Sequence, residues 1–430
     1  MIYRILGYLF FWVSIAYSQD YVEILKKNKP VREECNSLKM LEGFKPSQET
    51  SLGRYGGWTK KKYRATGFFH TSYIKDHWWI IDPEGYAFIS MGINSVNSSI
   101  AGPDSPPTPG NRAWGEKVVG DLKAQGFNTA GSWSAARVIS ALDQPMPYCL
   151  RWNVFTSYRN ERKKKYPSTE EPMVISPFDP EFGEFCNRHL AKAKATSQDP
   201  WLLGHFSDNE LSLQEKGIVQ RYLNHPPDDP NHIAAHKFMN AQGRKKPTRE
   251  DNHQFLKLVV ETHYRKIHDA LEAHDPNHMF LGTRFHGRAL DSPAIFEAAG
   301  KYADIISVNY YHRWTPEQDR ITQWSELANK PILITEWYAM AEDSGLPVNQ
   351  FGAGFAVKTQ KDRAKFYEHF TLGLLKNKSC VGWHWFKYQD GRNNAGVIDE
   401  QGQPHKALWD KMKNLNTQAY PLKEFFEIQQ

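Results

Sequence analysis

The chain has 430 residues, of which 40% are hydrophobic, 24% charged and 13% aromatic. This composition excludes a disordered polymer, and the lack of an apolar run of about eighteen residues after the N-terminus excludes a polytopic membrane protein. A formal net charge of +6 is small for this length and argues against a nucleic-acid-binding protein. The aromatic share exceeds what a core needs, so we expect some rings to face a ligand.

Residues 1–18 have the pattern of a secretory signal peptide. Arg4 supplies the positive start, residues 5–17 are apolar, and Ala16 and Ser18 form a small-residue cleavage site before Gln19. We therefore expect a secreted or periplasmic protein. Residues 19–62 lack a sustained period and are expected to form an irregular segment that packs on a main domain, residues 63–430.

From residue 77 onward, short apolar runs alternate with segments of helical spacing. Such alternation indicates parallel strands joined by crossover helices, and eight units predict a (β/α)8 barrel with long loops. A doubly wound sheet is the alternative, but residues 91–96 after the first strand contain no glycine-rich phosphate loop. The predicted strands are residues 77–94, 126–133, 149–155, 201–210, 278–286, 303–312, 331–338 and 380–388. The predicted helices are residues 114–125, 135–142, 180–197, 252–274, 292–302, 323–329 and 360–376.

Two connecting regions have features of their own. Residues 76–90 read as a hairpin with Pro83-Glu84-Gly85 at its turn, which we expect to cap the barrel's mouth. Residues 213–251 form a long, polar, Pro-rich stretch directly after the fourth strand, too long for a plain connection. We expect it to help build a site, since barrel active sites lie on the loops after the strands.

Two predicted strands end in carboxylates. The fourth strand ends in Asp208-Asn209-Glu210 and the seventh in Thr335-Glu336. The carboxyl ends of barrel strands share one face, so Glu210 and Glu336 can aim at each other across the barrel. Retaining hydrolysis of a glycosidic bond needs two carboxyl groups about 5–5.5 Å apart, one a nucleophile and one an acid/base. The alternative for each Glu alone is a helix cap or a surface ion pair.

These strand ends resemble clan A of the retaining glycoside hydrolases and, more closely, the β-agarase family, glycoside hydrolase family 50. The resemblance covers about residues 65–415 and is carried by WIIDPEG, GHFSDNE, ITEW and GWHWFKYQD, at residues 79–85, 204–210, 334–337 and 382–390. It implies cleavage of β-galactosidic links in an agar-type or sulfated galactan, without a cofactor. We expect this chain to lack the large β-sandwich domain that usually precedes the barrel in that family.

The resemblance also implies roles for individual residues. Glu210 would be the acid/base, Glu336 the nucleophile, and Asn209 the partner of the sugar 2-hydroxyl. We expect the charge of Glu336 to raise the pKa of Glu210, as a general acid at neutral pH requires. We expect the Tyr311 hydroxyl to donate to Glu336.

Other strand ends and loops supply further candidates for a sugar groove. Indole rings stack on the apolar faces of sugars, which makes platforms of Trp133, Trp337 and Trp385. Hydrogen bonds to substrate are expected from Asn94, Arg284, His286, Asp390 and Asn394. Core or loop packing is the alternative for every one of these residues.

Several alternatives stay open at this point. Within the clan the chain could be a β-galactosidase or another β-glycanase, and from another class it could be a non-catalytic carbohydrate-binding barrel. A metal-dependent hydrolase is disfavoured, because His232 and His236 lie four residues apart without a third ligand and no metal site is expected. Neither exo or endo action nor the oligomeric state follows from the sequence. The four widely spaced cysteines leave one disulfide possible.

Overall fold

A computed structural model describes residues 20–26, 29–165, 174–348 and 353–429. The predicted signal peptide lies outside the described residues. The strands, in chain order, are β1 (Asp20–Lys26), β2 (Lys29–Cys35), β3 (Trp58–Lys62), β4 (His70–Ile74), β5 (His77–Ile81), β6 (Tyr86–Phe88), β7 (Ser90–Ile93), β8 (Thr129–Ala130), β9 (Tyr148–Arg151), β10 (Leu202–Asn209), β11 (Met279–Arg284), β12 (Ile306–Asn309), β13 (Ile332–Glu336), β14 (Ala339–Ala341), β15 (Phe355–Val357) and β16 (Cys380–Trp385).

The helices alternate with the strands from β7 onward. None of those in the described part of the chain is long and apolar enough to cross a membrane. They are α1 (Pro109–Ala124), α2 (Ala136–Ile139), α3 (Val154–Lys165), α4 (Glu181–Leu190), α5 (Ile218–Leu223), α6 (Pro230–Ala241), α7 (Arg249–His274), α8 (Pro293–Ala299), α9 (Gln318–Ala328), α10 (Gln360–Lys376), α11 (Lys406–Asn416) and α12 (Ala419–Gln429).

Strands β7 to β13 together with β16 form a parallel barrel. Its strand order is β11-β10-β9-β8-β7-β16-β13-β12. Backbone hydrogen bonds close the two ends of this order: the Phe285 N–H donates to Ser307 O at 2.9 Å, and the Asn309 N–H donates to Phe285 O at 2.8 Å. The predicted (β/α)8 barrel is therefore confirmed.

Strand β13 illustrates why these segments fold as they do. All of its residues are buried, because barrel strands are covered by the interior on one face and by helices on the other. Helix α9 packs on β13, and helix α10 packs on Trp337 just beyond the strand. Helix α10 begins at a capping box, in which Thr359 Oγ1 accepts from the Asp362 N–H at 3.2 Å. Aromatic residues of α10 then pack on Trp337, whose ring lies 4.4 Å from that of Phe370. The end of β13 is thus held firmly.

The N-terminal segment is more regular than predicted. Strands β1 and β2 pair antiparallel and join β14 and β15 in a sheet of order β14-β15-β1-β2. The prediction of irregular structure is wrong for these residues. Val22 and Ile24 are buried, but two alternating apolar residues are too few to stand out, and β1 is stabilised by pairing with β15 more than three hundred residues away.

The hairpin of β5 and β6 is confirmed, but it lies at the other end of the barrel from the one expected. Asp82 Oδ1 accepts from the N–H groups of Glu84 and Tyr86 and so holds its turn. The Trp78 N–H donates to Lys378 O, just before β16 begins. The hairpin therefore covers the amino-terminal ends of the strands, because the chain passes from it directly into the start of β7.

Two smaller differences concern the long loop and the cysteines. Residues 213–251 are largely folded, since they contain α5, α6 and the start of α7. Cys35, Cys149, Cys186 and Cys380 are all buried free thiols, so the structure contains no disulfide between these four described residues.

Candidate active site

Glu336 lies at the carboxyl end of β13 and points into the barrel. Its side chain is 6% exposed. Two donors face its two oxygens: the Tyr311 hydroxyl donates to Oε2 at 2.5 Å, and Arg284 Nη2 lies 2.7 Å from Oε1. The carboxyl group is therefore oriented by the hydrogen bond to Oε2 and by the Arg284 charge beside Oε1, and Oε1 itself accepts no hydrogen bond from a described residue.

The surroundings of Glu336 have opposing effects on the pKa of its carboxyl group. Burial raises the pKa of Glu336 above its usual value, and the charge of Glu210 adds to that rise. The Arg284 charge and the hydrogen bond from Tyr311 oppose it, because both favour the carboxylate. Burial and the neighbouring Glu336 raise the pKa of Tyr311, so this phenol stays a donor.

Glu210 directly follows β10 and lies at the mouth of the barrel, partly exposed. Its backbone is in the left-handed region, with φ of 52°, which is uncommon for a residue other than glycine. The Glu210 N–H donates to Arg284 O at 3.2 Å, and its Oε1 accepts from Asn309 Nδ2 at 2.8 Å. The second carboxyl group is thus held from β11 and β12.

Asn309 connects the two carboxyl groups, and the sequence had given it no role. Its Nδ2 donates to Glu210, and its Oδ1 accepts from Thr335 Oγ1 at 2.8 Å, one residue before Glu336. Its signal in the sequence was present, since strand alternation places Asn309 on the same side as Tyr311. Thr335 could have been noticed as the one hydroxyl in an otherwise apolar run.

Arg284 and Asn94 lie behind the carboxyl groups. The buried Arg284 side chain donates to Asn209 Oδ1 at 3.1 Å and to Thr335 O at 2.9 Å. Asn94 Nδ2 also donates to Thr335 O, at 2.7 Å, while its buried Oδ1 has no hydrogen-bond partner among the described residues. Both residues contact the site, as their positions at strand ends predicted. They lie beneath Glu336, however, and do not line an open groove.

An aromatic rim surrounds the mouth. The half-buried Trp133 ring lies 4.3 Å from the Arg284 guanidinium and 6.0 Å from the Phe386 ring. Tyr338 touches both Phe386 and Tyr311, and His286 lies edge-on to Tyr311 at 5.8 Å. The sequence predicted three of these residues: Trp133, Tyr311 and His286. It missed Tyr338, Phe386 and Arg151, whose guanidinium lies 4.7 Å from the Trp133 ring.

The platform prediction does not hold for Trp337 and Trp385. Both are fully buried on the outer side of the barrel, where Trp337 stacks on Phe370 and Trp385 Nε1 donates to Ala395 O at 3.0 Å. The reason is strand phase: Glu336 and His384 point inward, so their neighbours Trp337 and Trp385 point toward α10. These two rings belong to the core.

Asp390 and Asn394 also do not face the site. Asn394 Nδ2 donates to Asp390 Oδ2 at 2.9 Å, and the Gly396 N–H donates to Asp390 Oδ1 at 2.7 Å. Asn394 Oδ1 accepts from the Ala341 N–H, which joins the loop after β16 to the strand after β13. Buried and saturated by these bonds, the two residues hold the rim loops and are not placed to contact a sugar.

One cluster in the described part of the chain has the composition of a metal site. His205, Asp275 and His278 are buried within 4.8 Å of one another. Their atoms are already paired, because His205 Nε2 donates to Asp275 Oδ2 at 2.8 Å and His278 Nδ1 lies 2.8 Å from Asp275 Oδ1. These are hydrogen-bond distances, and the residues form a hydrogen-bonded triad. His232 and His236, the two histidines that lie four residues apart, stack on each other on α6.

Comparison with known proteins adds to this geometry. No family model matches the chain. The crystal structure of BpGH50 is 29% identical in sequence, with a TM-score of 0.84 over 95% of this chain and 96% of that chain. The chain is a (β/α)8 barrel of the glycoside hydrolase family 50 type. β-Agarase B of Vibrio sp. (strain JT0107) is 22% identical over 88% of this chain, and β-agarase A of the same strain is 26% identical over 71%.

The agarases are longer proteins. The chain spans about half of β-agarase B, 51% of its length, and 36% of β-agarase A. Within this family 50-type barrel, Glu210 directly follows the fourth strand, β10, and Glu336 is the last residue of the seventh strand, β13.

Proposed function

We propose that this protein is a secreted retaining glycoside hydrolase that cleaves β-galactosidic links in an agar-type or sulfated galactan. The observation that carries the proposal is the pair of differently held carboxyl groups at one barrel mouth. Glu336 is buried against Arg284 and Tyr311, whereas Glu210 is partly exposed and held by Asn309. The agarases among its relatives support the substrate class.

In the proposed mechanism Glu336 is the nucleophile. Arg284 and Tyr311 favour its carboxylate form and fix its orientation, so that attack on the anomeric carbon needs little rearrangement. Tyr311 and Arg284 also stabilise the carboxylate when the glycosyl ester breaks down. The raised pKa of Glu336 from burial sets the lower pH limit of the reaction, because the protonated form cannot attack.

Glu210 is proposed as the acid/base. It would protonate the leaving oxygen and then deprotonate the water that hydrolyses the glycosyl ester. The Asn309 amide positions its carboxyl group. Asn209 Oδ1 accepts from Arg284 and Asn309, so its Nδ2 is directed away from them and is proposed to bind the sugar 2-hydroxyl. The half-buried Trp133 is the proposed sugar platform.

Two substitutions test the paired carboxyl groups. Glu336→Gln and Glu210→Gln should each lower kcat/KM on a neutral agar oligosaccharide by about 10²–10⁴-fold, with circular dichroism and unfolding midpoint unchanged. Glu400→Gln, in the exposed loop after β16, is the matched control and should retain full activity. Near-normal hydrolysis by either active-site variant would contradict the mechanism.

A substrate screen separates the proposed activity from its neighbours within the clan. Agarose, porphyran, carrageenans and aryl β-galactosides should be compared by product size. Preference for aryl β-galactosides would indicate a β-galactosidase instead, and tight binding without hydrolysis of any galactan would indicate a carbohydrate-binding barrel. Mass spectrometry of the exported protein tests the signal peptide, with Gln19 as the expected first residue.

A further inference from the structure

A cavity of about 240 Å³ lies between the loops that follow β11 and β12, one residue away from the two carboxyl groups. Its inner wall includes Asn309 and Tyr311, which bond to Glu210 and Glu336. Its outer wall includes His286, Arg288 and His312. Any sugar bound next to the carboxyl groups on this side would therefore meet a wall of nitrogen donors.

A larger groove shares part of its wall with this cavity. This groove has a volume of about 1230 Å³ and runs between the loop after β10 and the loop after β11. Arg288 and Asp291 line both spaces, so Arg288 stands where they meet. A polymer that extended from the cavity into the groove would lie against Arg288.

The arginines around the cavity differ in how their charge is used. Arg320 Nη2 pairs with Asp291 at 2.5 Å, and Arg313 Nε pairs with Glu317 at 2.8 Å. Arg288 meets no carboxylate within ion-pair distance in the described part of the chain, and its one hydrogen bond is a 3.5 Å contact to Gln214 Oε1. Arg288 thus leaves one positive charge uncompensated at the cavity wall.

The two histidines add donors beside that charge. His286 lies edge-on to Tyr311, and neither it nor His312 has a side-chain hydrogen bond to any described residue. His312 holds a left-handed backbone, with φ of 59°, directly beyond the Asn309 and Tyr311 pair. The Arg288 guanidinium and one N–H of each imidazole ring thus offer donors from three side chains of the same cavity wall.

We propose that Arg288, His286 and His312 form an anion subsite that binds a sulfate ester on the galactan, on a sugar close to the scissile link. The inference rests on the proposed function and makes the substrate a sulfated galactan. A sulfate ester has several outward oxygens, which match donors converging from separate side chains. The arginine fork alone would bind a carboxylate or a tetrahedral oxyanion, and the two further histidine donors match the extra oxygens of the sulfate ester.

The test uses two agar-type oligosaccharides of equal length, one neutral and one carrying sulfate esters. The wild-type protein should have the higher kcat/KM on the sulfated one. Arg288→Gln should lower that value about ten-fold or more, mainly through KM, and change the neutral substrate less than two-fold. Arg392→Gln removes an exposed arginine on the loop after β16 and should change neither value.

Every other result of this experiment would contradict one part of the proposed subsite. Equal wild-type rates on both substrates, or an equal loss on both in Arg288→Gln, would overturn the subsite. Preference for a pyruvylated, carboxylate-bearing oligosaccharide over the sulfated one would overturn the choice of sulfate. If the wild-type protein hydrolysed neither substrate, the proposed function would fail, and calorimetry with both oligosaccharides would still decide whether sulfate binding depends on Arg288.

Discussion

The two ends of the barrel differ in how much backbone strain they hold. Eight described non-glycine residues have positive φ, and five of them follow barrel strands at the carboxyl end: Ser95, Trp133, Asn153, Glu210 and His312. The other three, Lys75, Asp76 and Asn329, lie in a hairpin turn and at the end of α9. Strained positions cost about 1 kcal/mol or more each and persist where surrounding structure enforces them. At the carboxyl end they aim side chains into one mouth.

The ends also differ in how buried charges are satisfied. Toward the amino end, Asp275 is saturated by His205 and His278, and Lys423 donates to Asn377 O. At the carboxyl end, Arg284 Nε and Asn94 Oδ1 are buried without hydrogen-bond partners among the described residues. Asp82 Oδ2, in the hairpin at the amino end, is also buried without a partner among the described residues, so the contrast is one of position. At the carboxyl end the unpaired atoms lie beside the two carboxyl groups, where active sites of such barrels are built. Substitutions at the two ends should therefore affect different measurements.

The largest effect is expected at Arg284. Arg284→Met should lower kcat/KM by about 10²–10³-fold, because Glu336 loses the charge that favours its carboxylate. Since that charge opposes the rise in the pKa of Glu336, its removal should move the acidic limb of the pH profile to higher pH. Arg284→Lys keeps the charge and should shift the limb less. If kcat/KM fell by the same factor while the acidic limb of the pH profile stayed in place, Arg284 would have only a packing role.

The next largest effect is expected from a substitution at the amino-terminal end of the barrel. It should change the stability of the protein and not its activity. Asp275→Asn breaks a buried hydrogen-bonded pair and should lower the free energy of unfolding by about 3 kcal/mol, measured in urea. Asp269→Asn, exposed on α7, is the control. The kcat/KM of folded Asp275→Asn should stay within two-fold of wild type, and a large rate loss would break the contrast between the two ends.

The same triad predicts how stability depends on pH. Burial lowers the pKa of His205, and despite burial the bonds from His205 and His278 hold the pKa of Asp275 below its usual range. The native state therefore binds fewer protons than the unfolded chain. Stability should fall as pH drops below about 6.5 and again through the usual carboxyl range.

A smaller effect is expected at Tyr311. Tyr311→Phe removes the hydroxyl that donates to Glu336 and should lower kcat/KM about ten-fold or more, which is the usual worth of a hydrogen bond to a charged group. Tyr310→Phe is a matched control, since its hydroxyl donates to Glu317 on the other side of β12. Equal rate losses in the two variants would contradict a specific role for Tyr311.

The smallest effect is expected at Lys423. Burial lowers its pKa to about 8, so keeping it ionised at neutral pH costs about 3 kcal/mol. Lys423→Met removes that cost but leaves Asn377 O unpaired, for a net gain of about 1 kcal/mol. Wild-type stability should rise between about pH 8 and 10.5, because only the unfolded chain holds that proton there. The variant should lack this rise, and Lys413→Met, exposed on α11, should keep it.

The sequence predicted the barrel and the strand ends that hold Glu210 and Glu336, because apolar runs that end in polar residues are a local pattern. It could not predict which side each neighbour takes. Barrel strands are apolar on both faces, so alternation shows which residues share a face but not which of the two faces points into the barrel. For this reason Trp337 and Trp385 were assigned to the wrong side. The pairing of β1 with β2 and β15 depends on contacts between distant segments, which no local pattern contains. For Asn309, alternation indicated the side of the strand but not the contacts with Glu210 and Thr335.

The proposed mechanism requires Glu336 and Glu210 to act together in a double displacement. Proton NMR of the first product released from a neutral agar oligosaccharide tests it most directly, before mutarotation mixes the anomers. Retention of the β-anomer is the predicted result. Release of the α-anomer would mean direct attack by water, and Glu336 would then be a base instead of a nucleophile.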